Sequence, residues 1–217
     1  MNIQDMCQRY LQLYTGAIGD VLDKRGYRNQ SLPSHIQAQT KTNRIAGPAF
    51  TGLGYPVTDD QNTDMDARVK MLDSITPGTI SVWSCNGSDN CAHWGELMST
   101  AALQRGCTGA VLDGGVRDID FVNEMGYPVF AAFRNTASSI GRWEIREWNV
   151  TVTIGKTEIH AGDFVFGDCD GVVVVPAALT EEVLAQAEEI YAKEKGMRED
   201  LRRGVSVKAA YEKYGSL

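Results

Sequence analysis

The sequence has few of the features that mark disulfide-rich, membrane-spanning or secreted proteins. Its five cysteines form no C-x-x-C pair and their number is odd, so neither a disulfide framework nor a zinc cluster is predicted. No apolar run approaches the roughly 18 residues that a transmembrane helix needs. The first residues also lack the charged and apolar regions of a signal peptide. We therefore expect a cytoplasmic protein with no membrane partner.

The charge of the chain argues against a nucleic-acid partner. The formal net charge is −7, and the densest basic stretch, from Lys193 to Arg203, is interleaved with acidic residues. Proteins that bind a phosphate backbone usually carry a basic patch or stripe, so we expect no nucleic-acid partner. An acidic chain can still bind an acidic metabolite where a local cation or an arginine supplies positive charge.

The middle of the chain alternates segments typical of strands with segments typical of helices. One helix or a pair of helices is predicted over 4–26, and a polar loop over 85–94. Further strands are predicted at 45–57, 79–84, 109–113 and 129–133, and further helices at 66–75, 96–104 and 118–125. This alternation is the rhythm of an α/β layered protein.

The second half of the sequence is richer in strand patterns. A hairpin is predicted over 150–160, with strands at 163–166 and 172–175, a long helix at 180–203 and a short one at 205–214. Because no repeat or linker interrupts the chain, we predict one domain over 1–217. The fold class is α/β, but the β-rich second half argues against a purely doubly wound sheet.

The segment Asp113-Gly-Gly-Val-Arg-Asp118 follows a predicted strand and combines residues that can carry chemistry. We interpret Gly114-Gly115 as a turn that lets the backbone approach a ligand. Ligands of α/β sheets bind at the carboxyl ends of strands, where Arg117 and Asp118 should project. The carboxylate suits Mg²⁺ or Mn²⁺, and the guanidinium can bind a carboxylate or stabilise an enolate oxygen.

Glu96 begins the helix that precedes this strand. The start of that helix offers the backbone N–H groups of Leu97 and Met98 to an anion, and Glu96 itself can serve the water shell of a metal. Each feature also has an ordinary alternative. Arg117 and Asp118 could form a surface ion pair worth about 0–1 kcal/mol, and an acid at a helix N-terminus is favoured by the helix dipole alone.

The order of motifs along nearly the whole chain resembles the RraA-like family. That family contains the class II 4-hydroxy-4-methyl-2-oxoglutarate/4-carboxy-4-hydroxy-2-oxoadipate aldolases and the regulator of ribonuclease activity that names the group. The resemblance rests on Arg44-Ile-Ala-Gly-Pro-Ala-Phe50, Trp94-Gly-Glu-Leu97, Gly106 to Asp118, Met125-Gly-Tyr-Pro-Val-Phe130 and Gly162 to Pro176.

The resemblance implies a metal-dependent lyase that releases pyruvate from 4-hydroxy-2-oxo dicarboxylic acids and decarboxylates oxaloacetate. Family aldolases carry an acid, twenty intervening residues and then Arg-Asp, the spacing of Glu96, Arg117 and Asp118 here, although their first acid is usually Asp. Asp118 would then ligate Mg²⁺ or Mn²⁺, and Arg117 would bind the keto-acid oxygens and stabilise the enolate. Gly95 and the amides at 97–98 would hold the substrate carboxylate.

The same resemblance implies a β/β/α swivelling-type fold with a long C-terminal helix, assembled as homotrimers or hexamers with sites between subunits. A glutamate from the neighbour's C-terminal helix would join the metal through water. Glu194 is the best match, with Glu189 and Glu199 as rivals. Two other functions stay open. One is a non-catalytic regulator that binds an RNA-processing enzyme, although the ribonuclease regulator lacks the acid found here after the arginine; the other is a related sugar-acid lyase.

Several polar residues outside the motif carry weaker hypotheses. His93 could line the site or act as an acid near pH 7, although a structural hydrogen bond is its more ordinary role. Asp89 and Asn90, in the same loop, could contact the substrate. Asp168 and Asp170 lack the full spacing of a calcium-binding loop, so a tight turn between strands is the better interpretation.

Overall fold

The chain forms an extensive β-sheet with helices packed against it. The computed structural model describes residues 1–58 and 65–215. In that part of the chain the strands are β1 (Gln37–Ala38), β2 (Ile45–Pro56), β3 (Ile80–Ser84), β4 (Ala92–Trp94), β5 (Gly109–Val116), β6 (Val129–Arg134), β7 (Trp143–Trp148), β8 (Val152–Ile154), β9 (Thr157–Ile159), β10 (Phe164–Asp168) and β11 (Gly171–Val175). The helices are α1 (Ile3–Tyr10), α2 (Thr15–Lys24), α3 (Met65–Asp73), α4 (Glu96–Gln104), α5 (Ile119–Glu124), α6 (Thr180–Arg202) and α7 (Val207–Tyr214), with a 3₁₀ turn at Ala177–Leu179.

The main sheet is nearly closed on itself. Its strand order is β1-β6-β5-β3-β2-β10-β11, with β4 beside β5 and β7 beside β2. Strands β2, β3, β5 and β6 pair in parallel, because helices connect them, whereas β10 pairs antiparallel with β2 and β11. The two ends of this order, β1 and β11, are close to each other. The segment just before β1 joins β11, because Ser31 bridges Val173 and the Leu32 amide donates to the Val172 carbonyl at 2.9 Å.

Apolar side chains fill both sides of the sheet. Inside the curve, residues from five strands pack in one cluster, namely Val82, Val111, Phe130, Val165 and Val174. Outside, α1, α2 and α6 cover β10 and β11, while Trp83, Trp94 and Trp143 form a second cluster beneath α3, α4 and α5. This second cluster supports the carboxyl ends of β4 and β5, because it includes Trp94 and Val116.

The long C-terminal helix is held by α2 on one side and by α7 at its end. Leu184 and Ala187 of α6 are fully buried in the cluster that includes α2. Near the end of α6, the buried Asp200 accepts hydrogen bonds from Lys213 at 2.7 Å and Tyr214 at 2.9 Å, which attaches α7. Over residues 1–58 and 65–215, no helix combines the length and apolar character that crossing a bilayer requires.

The predicted α/β class with a long C-terminal helix is confirmed, and most predicted elements are present. Three predictions of local structure were incomplete or wrong. The loop predicted over 85–94 contains β4, and neither β1 nor β7 was predicted. The Gly114-Gly115 turn is wrong, because both glycines lie inside β5, which continues to Val116.

Close packing, rather than a turn, explains these two glycines. A Cβ at position 114 would lie 2.4 Å from Nδ1 of His93 and 2.6 Å from Sγ of Cys85. A Cβ at position 115 would lie 2.5 Å from the carbonyl oxygen of Cys91. Contacts this short do not occur in folded proteins, so the glycines let β4 and the His93 side chain pack directly against β5.

Candidate active site

Arg117 and Asp118 connect β5 to α5 at the carboxyl end of the parallel strands. The Arg117 N–H donates to the Trp94 carbonyl at 3.1 Å, which keeps the end of β5 beside β4. Asp118 adopts the left-handed conformation, with φ 60° and ψ 33°, and acts as the N-cap residue of α5. Aspartate tolerates this region better than most residues, and non-glycine residues held there cluster at functional sites.

The carboxylate of Asp118 reaches the start of α4. The backbone N–H of Glu96 donates to Oδ2 of Asp118 at 3.3 Å, and Nε of Arg117 lies 3.5 Å from the same oxygen. Gly95 makes this approach possible, because a Cβ at that position would lie 2.7 Å from Oδ2. The structure thus brings together Gly95, Glu96, Arg117 and Asp118, the four residues that the motif singled out. Arg117 and Asp118 also form the half-exposed ion pair that was the ordinary alternative.

The first turn of α4 leaves backbone donors unused. Gly95 is its extended N-cap residue and supplies no side-chain cap. Among the described residues, none accepts a hydrogen bond from the N–H groups of Leu97 or Met98, so both are available to an anion. The side chain of Glu96 is held by Thr100, whose hydroxyl donates to Oε1 at 3.0 Å.

These groups line one cavity of about 330 Å³. Its walls come from α3, from β4 and the start of α4, from the end of β5 and from the segment 138–140. Its volume falls within the range of small-molecule sites. Among the described residues, the charged side chains in its lining are Arg68, Glu96, Arg117 and Asp118. Two carboxylates and two guanidiniums therefore face a space of metabolite size.

Arg68 is a member of this lining that the sequence analysis missed. It lies on α3, is only 9% exposed, and donates from Nη2 to Oγ of Ser139 at 2.9 Å. Its guanidinium also lies 6.0 Å from the ring centre of Trp143. Burial lowers the pKa of Arg68, and the nearby positive charge of Arg117 lowers it as well. No sequence motif marks Arg68, since it occupies an ordinary position in a helix.

His93 lines the cavity from β4, as one of the two hypotheses for it predicted. It is 1% exposed, and the Gly115 N–H donates to its Nδ1 at 2.9 Å, which is the predicted structural hydrogen bond. Burial lowers the pKa of His93 to about 4, helped by the charge of Arg68, so the ring is neutral at pH 7. This lowered pKa argues against the hypothesis that His93 acts as an acid near pH 7. The loop residues 89–90 are exposed and lie outside the cavity lining.

Glu194 does not reach this cavity within one chain. It lies on α6, where the hydroxyl of Tyr14 donates to its carboxylate and Arg198 lies 3.5 Å away. Glu189 and Glu199, on the same helix, are exposed. A contribution from any of these glutamates to the site would therefore have to come from another copy of the chain.

The acidic turn after β10 has a structural use. The side-chain ligand atoms of Asp168, Cys169 and Asp170 lie within 4.8 Å of one another. Asp168 nevertheless accepts hydrogen bonds from the N–H and the hydroxyl of Thr15, each at 2.9 Å, and so holds the first residue of α2. The prediction of a tight turn between two strands is confirmed.

The family of the chain follows from comparison with known proteins. Residues 15–174 match the family model described as RraA-like, aldolase/RraA. The chain belongs to the RraA-like family. The resemblance that the motifs indicated is thereby confirmed, and it covers the strands and helices that build the cavity.

Two curated relatives differ in how much of their own length this RraA-like chain matches. DlpA of Legionella pneumophila is 26% identical over 97% of this chain, but the match spans only 34% of DlpA. A protein of Halalkalibacterium halodurans that bears the name "Putative 4-hydroxy-4-methyl-2-oxoglutarate aldolase" is 29% identical, over 95% of this chain and 93% of its own. The chain thus spans about a third of the first relative and nearly all of the second.

Two solved structures share the fold of this chain. An uncharacterized protein from Pseudomonas syringae pv. tomato superposes with a TM-score of 0.85 at 31% identity, over 95% of this chain and 96% of that one. Streptomyces coelicolor RraAS2 is described as an unusual member of the RNase ES inhibitor RraA protein family. It superposes with a TM-score of 0.79 at 25% identity, over 89% of this chain and 96% of that one. Because aldolase and inhibitor names both occur among the matches, the choice between functions depends on the site.

Proposed function

We propose that this RraA-like chain is a divalent-metal-dependent lyase. It would cleave 4-hydroxy-2-oxo dicarboxylic acids of the 4-hydroxy-4-methyl-2-oxoglutarate type to pyruvate, and would decarboxylate oxaloacetate. The observation that carries the proposal is the convergence of Asp118, Arg117 and the unused amides of α4 on one cavity. A carboxylate for a cation, a guanidinium and free amides are the groups needed to bind a 2-oxo acid. The aldolase name of the Halalkalibacterium relative supports the same conclusion.

The donor atoms of the cavity fit Mg²⁺ or Mn²⁺. The side chain of Asp118 is 40% exposed, and among the described residues no partner contacts its Oδ1. Carboxylate oxygens are the hard ligands that these ions prefer. Asp118 would hold the cation, with Glu96 in its water shell. When bound, the cation would supply Lewis-acid polarisation of the 2-oxo oxygen.

The chain's own residues divide the remaining work. The amides of Leu97 and Met98 donate to the substrate C1 carboxylate. Arg117 donates to the 2-oxo oxygen, where negative charge develops as the C3–C4 bond breaks. Glu96 accepts, directly or through one water, the proton that leaves the 4-hydroxyl group, so C4 becomes a carbonyl carbon. The electron pair of the broken bond forms the pyruvate enolate, which takes up a proton at C3 from a water in the site, while Glu96 releases the proton it accepted to solvent.

Decarboxylation of oxaloacetate uses the same end of the site. Breaking the C3–C4 bond releases CO₂ and leaves the same enolate, which Arg117 stabilises in the same way. No proton has to leave the substrate before that bond breaks. One arrangement of Arg117 and Asp118 therefore serves both reactions, whereas Glu96 is needed mainly for the aldol cleavage.

The proposal includes a homotrimer or hexamer with sites shared between subunits. Several apolar side chains of the cavity lining are exposed in the single chain, with Leu97 at 78%, Ile140 at 53% and Val69 at 52%. A neighbouring copy would cover this apolar rim and could bring the Glu194 carboxylate to the metal. Covering the rim would also exclude water, which strengthens the electrostatic interactions inside the site.

Pyruvate release is the direct test. We expect pyruvate from 4-hydroxy-4-methyl-2-oxoglutarate and from oxaloacetate in the presence of Mg²⁺ or Mn²⁺. Exhaustive chelation should abolish both activities, and added metal should restore them. Turnover unchanged by chelation would contradict the metal, and no pyruvate from either substrate would contradict the lyase.

A non-catalytic regulator of an RNA-processing enzyme is the second candidate. The similarity to Streptomyces RraAS2 favours it. The Arg117–Asp118 pair at the mouth of a cavity speaks for catalysis, because a purely protein-binding surface does not need a cation ligand beside free helix amides. Inhibition of a purified ribonuclease by this chain, with no pyruvate release under any metal condition, would favour the regulator.

A further inference from the structure

The lyase chemistry described above leaves one buried charge in the cavity without a role. Arg68 lies on α3, whereas Arg117 follows β5, and Arg68 is 9% exposed. Its Nη2 donates to the neutral Ser139. Among residues 1–58 and 65–215, no carboxylate oxygen lies within 4.0 Å of its guanidinium nitrogens. The cavity therefore contains a second guanidinium that the described part of the chain does not neutralise.

Within the described part of the chain, a buried guanidinium without a carboxylate partner is unfavourable. Removing a guanidinium from water without a counter-ion costs free energy. The like charge on Arg117 adds to that cost, and both effects lower the pKa of Arg68. An anionic ligand would remove the penalty. The planar fork of an arginine matches a carboxylate with two parallel hydrogen bonds, and Ser139 and the Trp143 ring hold this fork in place.

We infer that Arg68 binds the distal carboxylate of the substrate and so selects 2-oxo dicarboxylic acids over 2-oxo monocarboxylic acids. The inference rests on the proposed function for the placement of the first carboxylate, at Arg117 and the start of α4. The second carboxylate then extends across the cavity to α3. Arg68 is a specificity-determining residue in this scheme, because it contacts the substrate away from the bond that breaks.

The test compares two ligands that differ mainly at the distal end. 2-Oxoglutarate carries both carboxylates but no 4-hydroxyl group to support cleavage, whereas 2-oxobutyrate has the same 2-oxo acid end and no distal carboxylate. Calorimetry with Mg²⁺ present should show that the unmodified chain binds 2-oxoglutarate about 10- to 100-fold more tightly, the usual strength of a charge-assisted hydrogen bond. Arg68→Met should remove this preference and leave 2-oxobutyrate affinity unchanged.

Two further variants keep the test decisive. Arg68→Lys retains the charge without the planar fork and should retain part of the preference for 2-oxoglutarate. If Arg68→Met fails to fold, Arg68→Lys takes its place in the comparison. Arg105→Met removes a surface arginine that pairs with Asp73 and should behave as the unmodified chain does. An undiminished preference for 2-oxoglutarate in the Arg68 variants would overturn the inference. Equal weakening of both ligands would also overturn it, because Arg68 would then act only by supporting the fold.

Pyruvate assays on the same variants separate this inference from the lyase proposal. If the unmodified chain releases no pyruvate but keeps an Arg68-dependent preference for 2-oxoglutarate, only the lyase proposal fails. If pyruvate is released and dicarboxylate preference does not depend on Arg68, only the present inference fails.

Discussion

Gly95 and Asp118 are in such close contact that a Cβ on residue 95 would lie 2.7 Å from Oδ2 of Asp118. The same oxygen accepts the hydrogen bond from the Glu96 amide at 3.3 Å. The start of α4 and the end of β5 are therefore joined through one carboxylate, which is also the proposed cation ligand. The absence of a side chain at position 95 allows that carboxylate to lie against the start of α4.

Gly95→Ala should therefore impair metal use more than stability. The backbone at Gly95 is extended, with φ −167°, so alanine causes no backbone strain, and the short Asp118 side chain can rotate away. We expect a stability change within about 1 kcal/mol and a roughly tenfold rise in the Mg²⁺ concentration for half-maximal pyruvate release, one tenfold step being about 1.4 kcal/mol. Gly19→Ala is the control, because a Cβ there meets nothing within 4 Å. An unchanged Mg²⁺ requirement would mean that Asp118 does not bind the cation.

Arg117 and Asp118 should have separable roles. Arg117→Lys keeps the charge but loses the planar fork, so kcat/KM for both proposed substrates should fall about 10²-fold. Asp118→Asn keeps the shape but removes the ligand charge, so it should mainly raise the metal concentration required. Steady-state kinetics at several metal concentrations distinguishes the two effects. Full activity in both variants, with an intact fold, would mean that the pair is only a surface ion pair.

Glu96 should affect aldol cleavage and decarboxylation differently. Glu96→Gln removes the proposed proton acceptor, so cleavage of 4-hydroxy-4-methyl-2-oxoglutarate should fall roughly 10²-fold or more. Oxaloacetate decarboxylation should fall less than about tenfold, because no substrate proton leaves before that bond breaks. Glu96→Asp restores the acid usual in family aldolases and should retain most activity. Equal losses in both reactions for Glu96→Gln would assign Glu96 to the metal alone.

His93 should make the chain less stable in mild acid. Its folded-state pKa of about 4 lies below the ordinary value of 6.5 because it is buried, so the unfolded state takes up the proton first. Its contribution is fully present above pH 6.5 and is lost as the pH falls towards 4, by up to about 3 kcal/mol. Urea unfolding at pH 7 and pH 4.5 should show a smaller acid loss in His93→Gln than in the unmodified chain.

A matched variant tests the assignment to His93. His160 is exposed on the surface, so His160→Gln controls for the loss of a histidine elsewhere in the chain. The acid-induced fall in the free energy of unfolding should be reduced in the His93 variant and not in the His160 variant. The same fall in all three proteins would show that other groups cause the acid sensitivity.

A shared site predicts that, at limiting metal concentration, two weakly active variants regain activity when they are mixed in one oligomer. Asp118→Asn and Glu194→Gln should each be weakly active alone. Co-expressed chains should recover about a quarter of the sites under random assembly of a cyclic oligomer, because some sites then combine Asp118 of one copy with Glu194 of the next. Light scattering should show at least three chains. If the chain is a monomer, or if the mixed assembly recovers no activity, Glu194 does not contribute to the site.

Much of the site could be predicted from local patterns. Three predicted elements are present: the helix that begins at Glu96, the strand before Arg117 and the helix after Asp118. They could be predicted because the periodicity of apolar residues along the chain reflects which side of each element is buried. Parallel strands joined by helices place their carboxyl ends at one edge, but β4 before Glu96 was not predicted. That Glu96 and Asp118 share a site was therefore implied by the family resemblance alone. The role of Gly114 and Gly115 could not be predicted. The sequence does not distinguish a glycine required by close packing, with a neighbouring atom 2.4 Å from its Cβ position, from a glycine in a turn.

What the sequence by itself determined is the family, the α/β class and the residues at the carboxyl end of β5. Only the tertiary structure decided which other groups share their cavity. Arg68 reaches it because α3 packs over Trp143, and His93 is neutral there because its neighbours exclude water. Both properties depend on what surrounds a side chain in space, and residues far apart in the chain supply those surroundings.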